Sequence, residues 1–235
     1  MLKLININVS IGLIRILRDV TFEVKEHECV ALLGSNGAGK STTLKTISGF
    51  VKPYSGDILF NDRSIINISV DNRVKMGIVQ VPEGGRLFPY LTVDENLQMG
   101  ASATRQAWKS INESREKVFS LFPILRERRN LPARSLSGGE RQMLAIGRGL
   151  MSKPSLMMID EPSIGLGPKI LLEIYAILQS LHESGVTILL SEQNVQKALS
   201  ISNRAYVMEN GNIVMHGTSN ELLNSEHIKT AYLGV

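Results

Sequence analysis

The rhythm of apolar and polar residues along this chain changes several times, and each rhythm predicts a different kind of element. Residues 2–9 and 20–24 alternate in part, which predicts strands with one buried face. Cys29–Leu33 is instead an unbroken apolar run, as expected of a short strand covered on both faces. It stops at Gly34, and a helix is expected from Lys40. Ser55-Gly56-Asp57 reads as a turn before a strand at 58–60; Ile78–Val81 reads as a further strand, ended by Pro82. From Arg86 to Pro154 the period becomes helical, at 93–99, 106–122 and 138–151, with Pro123 and Pro132 as punctuation. Apolar strands return at 155–159 and 186–190 around a helix at 169–184, which predicts right-handed parallel connections. Arg204–Glu209 and 212–216 flank Asn210-Gly211, the signal of a hairpin with a tight turn. No internal repeat or low-complexity segment interrupts this order. The pattern predicts an α/β fold with a mainly parallel sheet and N-terminal antiparallel β strands. Residues 86–154 are expected to form an inserted α-helical subdomain, and residues 1–85 and 155–235 the core.

Composition narrows the partners. With 43% hydrophobic and 20% charged residues, the chain reads as a soluble globular protein. Its 235 residues suffice for one large core, or a core with a subdomain. No stretch approaches the roughly 18 apolar residues of a membrane span. The first apolar segment stops at Asn6, too early for a secretion signal. Any service to a membrane is therefore expected from the cytoplasmic face, through partners. A net charge of +4, 6 Phe, 5 Tyr, 1 Trp and no long basic run leave nucleic acid unexpected as a partner. Cys29 sits in an apolar run, as a small buried hydrophobe would. His27, His182, His216 and His227 show no metal-ligand spacing.

Three strings carry chemistry. Gly34-Ser35-Asn36-Gly37-Ala38-Gly39-Lys40-Ser41 fits G-x-x-x-x-G-K-[ST], between a predicted strand and a predicted helix. Glycines let backbone N–H groups approach phosphate oxygens, and the helix N-terminus adds positive potential. Lys40 is placed to reach the β- and γ-phosphates, and Ser41 to ligate Mg²⁺. Leu156-Met157-Met158-Ile159-Asp160-Glu161 is an apolar strand ending in two carboxylates. Asp160 is suited to support Mg²⁺, and Glu161 to polarise an attacking water as general base. Leu136-Ser137-Gly138-Gly139-Glu140 places a serine and two glycines at a helix start, again suited to a γ-phosphate.

In this order the three strings resemble the ABC ATPases, the motors of ATP-binding cassette transporters, over essentially the whole chain. The resemblance implies a P-loop NTPase core with ATP and Mg²⁺ as cofactors. It implies catalytic roles for Lys40, Glu161 and Gln193, and metal ligation by Ser41, Asp160 and Glu83. Nucleotide contacts are expected from Gly34, Ser35, Asn36, Gly37, Ala38, Gly39, Lys40, Ser41 and Thr42, and from Ser137, Gly138 and Gly139. The second cradle is expected to serve the ATP of a partner ATPase in a head-to-tail dimer that drives two membrane permeases. Four positions depart from the general pattern. Ile11 stands where an adenine-stacking aromatic is usual, Glu83 for a glutamine, Gln193 for a histidine and Gly167 for an aspartate. The last three, with the ending Ala231-Tyr232-Leu233-Gly234, resemble one subfamily, the smaller ATPase of branched-chain amino-acid importers, which work with an extracytoplasmic binding protein and a second, different ATPase. Ile11 and Gly85 depart even from that subfamily, which usually has tyrosine and arginine there. Two other readings stay open on the sequence: a urea or amide importer, and a soluble ABC ATPase outside transport.

Overall fold

Two sheets frame the protein in the computed structural model, which describes residues 1–233. Gly234, the end of the motif beginning at Ala231, lies outside the described residues. In chain order come β1 (Leu2–Ile11), β2 (Ile14–Val24), β3 (Cys29–Leu33), α1 (Lys40–Ser48), β4 (Ser55–Phe60), β5 (Arg63–Ser64), α2 (Val70–Lys75) and β6 (Ile78–Val81). A helical stretch follows: α3 (Val93–Ala101), α4 (Arg105–Lys109), α5 (Ile111–Leu121), α6 (Pro123–Glu127) and α7 (Gly138–Leu150). Then come β7 (Leu156–Asp160), α8 (Pro168–Glu183), β8 (Thr187–Glu192), α9 (Val195–Ile201), β9 (Arg204–Glu209), β10 (Asn212–Thr218) and α10 (Ser219–Asn224). The smaller sheet runs β2-β1-β4-β5 and is antiparallel; the larger runs β10-β9-β3-β8-β7-β6 and is parallel except at β10.

The apolar runs explain the layering. Along β3, Cys29, Ala31 and Leu33 point into one cluster, while Val30 and Leu32 point into another, all with no exposed surface. Met157 and Ile159 of β7 divide in the same way from Leu156 and Met158. One cluster joins the parallel sheet to Leu97, Val118, Leu144, Ile174 and Leu178 of the helices; the other joins it to α1 and the small sheet. Burying one such leucine stabilises the fold by about 1.5–3 kcal/mol. Sheets covered on both faces are read as continuous apolar runs for this reason.

Four expectations change in the structure. Ser55-Gly56-Asp57 is not a turn but the start of β4, with a register shift against β1 between Ile5 and Asn8. Gly56 (φ +94) makes that irregularity: a Cβ there would lie 2.4 Å from Asn6 O. The helix expected over 106–122 is broken at Ser110 (φ −107, ψ 22) into α4 and α5. Pro123 does not only end a helix; it opens α6 from its first turn, where its missing N–H costs nothing. β8 runs to Glu192, two residues past the apolar run expected to end at 190, because its last polar residues still pair with β3 and β7. The tight turn at Asn210-Gly211 is present, with φ of +48 and +83.

Candidate active site

Strand register builds the site. Leu33 lies opposite Glu192 in the β3–β8 pairing, and Asp160 opposite Ser191 in the β7–β8 pairing. The carboxyl ends of three adjacent strands thus deliver Gly34, Asp160 and residues 191–193 to one edge of the sheet, where open α/β sheets bind ligands. Residues 34–39 turn from β3 into α1. Gly39 caps α1 with φ +111, and a Cβ there would lie 2.9 Å from Leu17 Cδ2, so backbone and space both require glycine. The free N–H groups and dipole of α1 face the opening, an arrangement that favours an anion.

Lys40 and Glu161 are both nearly inaccessible, and Lys40 Nζ lies 2.8 Å from Glu161 Oε1. The same ammonium donates to Gly34 O (2.6 Å) and Ser35 O (3.0 Å). Glu161 Oε2 accepts from the Gln193 backbone N–H at 3.2 Å. The Glu161 backbone has φ +47, uncommon for a residue with a side chain; its N–H is held by Ser191 O at 3.0 Å. A lysine charge and a carboxylate are therefore paired where a phosphate could later compete for the lysine.

Beside them, Asp160 Oδ1 accepts from Ser41 Oγ (3.0 Å) and Ser191 Oγ (2.6 Å). A hydroxyl and a carboxylate in contact are hard oxygen donors, which fit Mg²⁺. Among the described residues no group of three or more His, Cys, Asp and Glu could hold a metal ion by itself.

Asn36, Gly37, Gly39, Lys40, Ser41, Thr42, Glu83 and Glu161 line one cleft of about 340 Å³. Gly34 and Ser35 turn carbonyls to Lys40, and Ala38 is buried in the core under the turn. Gln193 is exposed and lines a neighbouring cavity with Glu161. Ser137, Gly138 and Gly139 do not line this cleft. Ser137 Oγ accepts from Glu140 N (3.3 Å) and Glu140 Oε2 from Ser137 N (2.9 Å), a reciprocal cap on α7. Ile11 is 56% exposed and does not line the cleft, whereas Ile16 does. Gly167 precedes α8 in extended conformation with open space where a Cβ would be, so the backbone does not demand glycine there. Sequence reading missed Ile16, Ser191 and Glu192. The last two could have been found by extending β8 until it matched the carboxyl end of β7.

A glycine-rich turn leaving a parallel strand, with a lysine, a hydroxyl and two carboxylates gathered at its mouth, is the arrangement expected of a nucleotide-binding ATPase cassette. The chain belongs to the ABC transporter family, whose pattern spans residues 17–164. It is 46% identical over 234 residues to the high-affinity branched-chain amino acid transport ATP-binding protein BraG of Pseudomonas aeruginosa, covering 100% of each chain. It is 37% identical to the probable branched-chain amino acid transport ATP-binding protein LivF of Archaeoglobus fulgidus, covering 100% of this chain and 99% of that one. Among solved structures it is similar to the ADP conformation of an ATP-binding cassette of an ABC transporter, with TM-score 0.87 and 26% identity, over 100% of this chain and 99% of that one. The dimeric structure of a bacterial ABC transporter cassette matches with TM-score 0.84 and 25% identity, over 93% and 99%. No helix of the described residues is long and apolar enough to cross a membrane.

Proposed function

We propose that this chain is the ATP-binding and ATP-hydrolysing subunit of an importer of branched-chain amino acids, working at the cytoplasmic face of the cell membrane. The observation that carries the reading is the joined constellation of Lys40, Ser41, Asp160 and Glu161 in a chain whose full length matches two branched-chain amino acid transport ATPases. Ser41, Asp160 and Glu83 would hold Mg²⁺, which when bound would neutralise phosphate charge. Lys40 exchanges Glu161 for the β- and γ-phosphates. Glu161, released, accepts a proton from the attacking water at its carboxylate. The Gln193 amide donates a hydrogen bond to the γ-phosphate, as a neutral amide can. Ser137, Gly138 and Gly139 close over the ATP of a second ATPase subunit, in the cell a different chain. Residues 86–154 act as the helical subdomain that passes dimer closure to two permeases, and residues 1–85 and 155–235 as the nucleotide-binding core. No part of the reading places the amino acid on this chain; an extracytoplasmic binding protein and the permeases select it. Deleting the gene and measuring uptake of labelled leucine, urea and a sugar tests the assignment. Selective loss of leucine uptake is expected. Loss of urea uptake alone makes it an amide importer, and no transport defect places it outside transport.

A further inference from the structure

Glu192 ends β8 and is wholly buried. Its Oε1 accepts from Ser163 N (3.2 Å), and its Oε2 from Ser163 Oγ (2.9 Å), Gln193 N (3.0 Å) and Asn194 N (3.3 Å). None of these donors carries a charge. Burying a carboxylate without a cation is costly, and only hydrogen bonds from neutral groups offset that cost here. Burial raises the Glu192 pKa above the ordinary range and the nearby Glu161 adds to it, while Ser163 opposes them. A residue needed only to fill this space would be apolar, or an amide.

What the carboxylate joins are the two segments that flank Glu161. Ser163 lies in the turn directly after Glu161, and Gln193 begins the connection to α9. The Gln193 N–H is shared: it points to Glu192 Oε2 at 3.0 Å and to Glu161 Oε2 at 3.2 Å. Holding Ser163 and Gln193 therefore fixes the frame in which Glu161 stands. We propose that Glu192 is a positioning residue for hydrolysis, which sets the Ser163 turn and the Gln193 backbone around Glu161 without touching nucleotide. This rests on the reading of Glu161 as general base.

The test compares Glu192→Gln, Ser163→Ala, the double variant Glu192→Gln/Ser163→Ala, and Glu161→Gln in the purified full-length chain. ATP affinity is read by calorimetry, kcat and KM by phosphate release, and folding by thermal melting. Glu192→Gln is expected to lower kcat roughly 10- to 100-fold, the cost of a misplaced catalytic group, while ATP affinity stays near wild type. Ser163→Ala lowers kcat in the same direction by less. The double variant is no slower than its slower single parent, because the Ser163 hydroxyl acts through its bond to the Glu192 carboxylate. Wild-type kcat in Glu192→Gln, or additive losses in the double variant, overturns the proposal. Should Glu192→Gln fail to fold, Ser163→Ala decides: reduced kcat at unchanged affinity supports the role, and unchanged kcat ends it. Failure of the underlying reading shows separately, as wild-type turnover in Glu161→Gln.

Discussion

At the scale of single residues, the Lys40–Glu161 pair joins two buried charges at the wall of the cleft. With both side chains about 4% exposed, each is the other's compensating charge until phosphate enters. Lys40→Ala removes the charge-assisted contact to phosphate and leaves Glu161 buried without a cation. ATP binding measured by calorimetry is expected to vanish; wild-type affinity would sink the nucleotide assignment. Glu161→Gln has the opposite profile. It frees Lys40, so ATP binds at least as tightly, yet turnover falls about 10²–10⁴-fold, the share of a general base. Light scattering should then show an ATP-bound dimer accumulating. Adenine contacts give a different prediction, because neither Ile11 nor Ile16 offers a ring. Ile11→Tyr should tighten ATP binding by about 0.5–1.5 kcal/mol, the value of an aromatic pair. No change would assign the base to Ile16, which lines the cleft where Ile11 does not.

At the scale of elements, β3, which leads into residues 34–39, is clamped at its other end to its neighbour β9. Glu28, just before β3, meets Arg204 at the start of β9, with Oε1–Nε at 2.5 Å and Oε2–Nη2 at 3.0 Å. Burial pushes the Glu28 pKa up, but Arg204 and the Lys25 N–H outweigh it, and the net shift is downward. A lowered folded-state pKa stabilises the protein above the unfolded value, about 4.3, and that stability is lost as pH falls through the folded value. Glu28→Gln is therefore expected to flatten the acid side of a Tm-against-pH curve below about pH 5 and to lower Tm at neutral pH. An acid limb as steep as wild type would show that another carboxylate governs it. Elements of this kind explain what the sequence could disclose. β3, β7, the phosphate turn and the Asn210-Gly211 hairpin were legible because each is specified by its own residues. The Gly56 irregularity was not: its cause is the Asn6 carbonyl of a neighbouring strand, far away in sequence. The Ser110 break lies within a continuing helical period, and α9 is too short at seven residues for a period to show. Ser191 and Glu192 became site residues only through pairing register, and no local pattern marks a polar residue as the last rung of a parallel strand.

At the scale of the whole molecule, two helices begin at glycine-rich turns, and the start of α7 does not line the cleft that holds Lys40. The N-terminus of α1 opens beside Lys40 and Asp160, while that of α7 is capped by Ser137 and borders Leu166 and Ile170. Two cradles and one cleft make sense if the second cradle completes a site on a neighbouring subunit, as a head-to-tail pair would require. Purified without the second ATPase, two copies of this chain in such a pair have a property that no monomer shares: defects in the two cradles complement each other. In a Lys40→Ala chain the phosphate turn fails but the α7 start is intact; in a Gly138→Asp chain the reverse holds, since an acidic side chain there repels a γ-phosphate. Each variant alone is expected to be inactive, because both of its sites carry one defect. When the two are mixed, a mixed dimer gathers both defects into one site and leaves the other whole. ATPase activity should therefore reappear on mixing, rise with total protein concentration and peak near equal amounts. Activity that stays absent at every ratio, while light scattering shows that mixed dimers form, would mean that each chain uses its own α7 start or that one intact site cannot turn over alone. Crosslinking Ser137→Cys to a cysteine placed at Asn36 separates those two outcomes, because only the head-to-tail arrangement brings these positions together between chains.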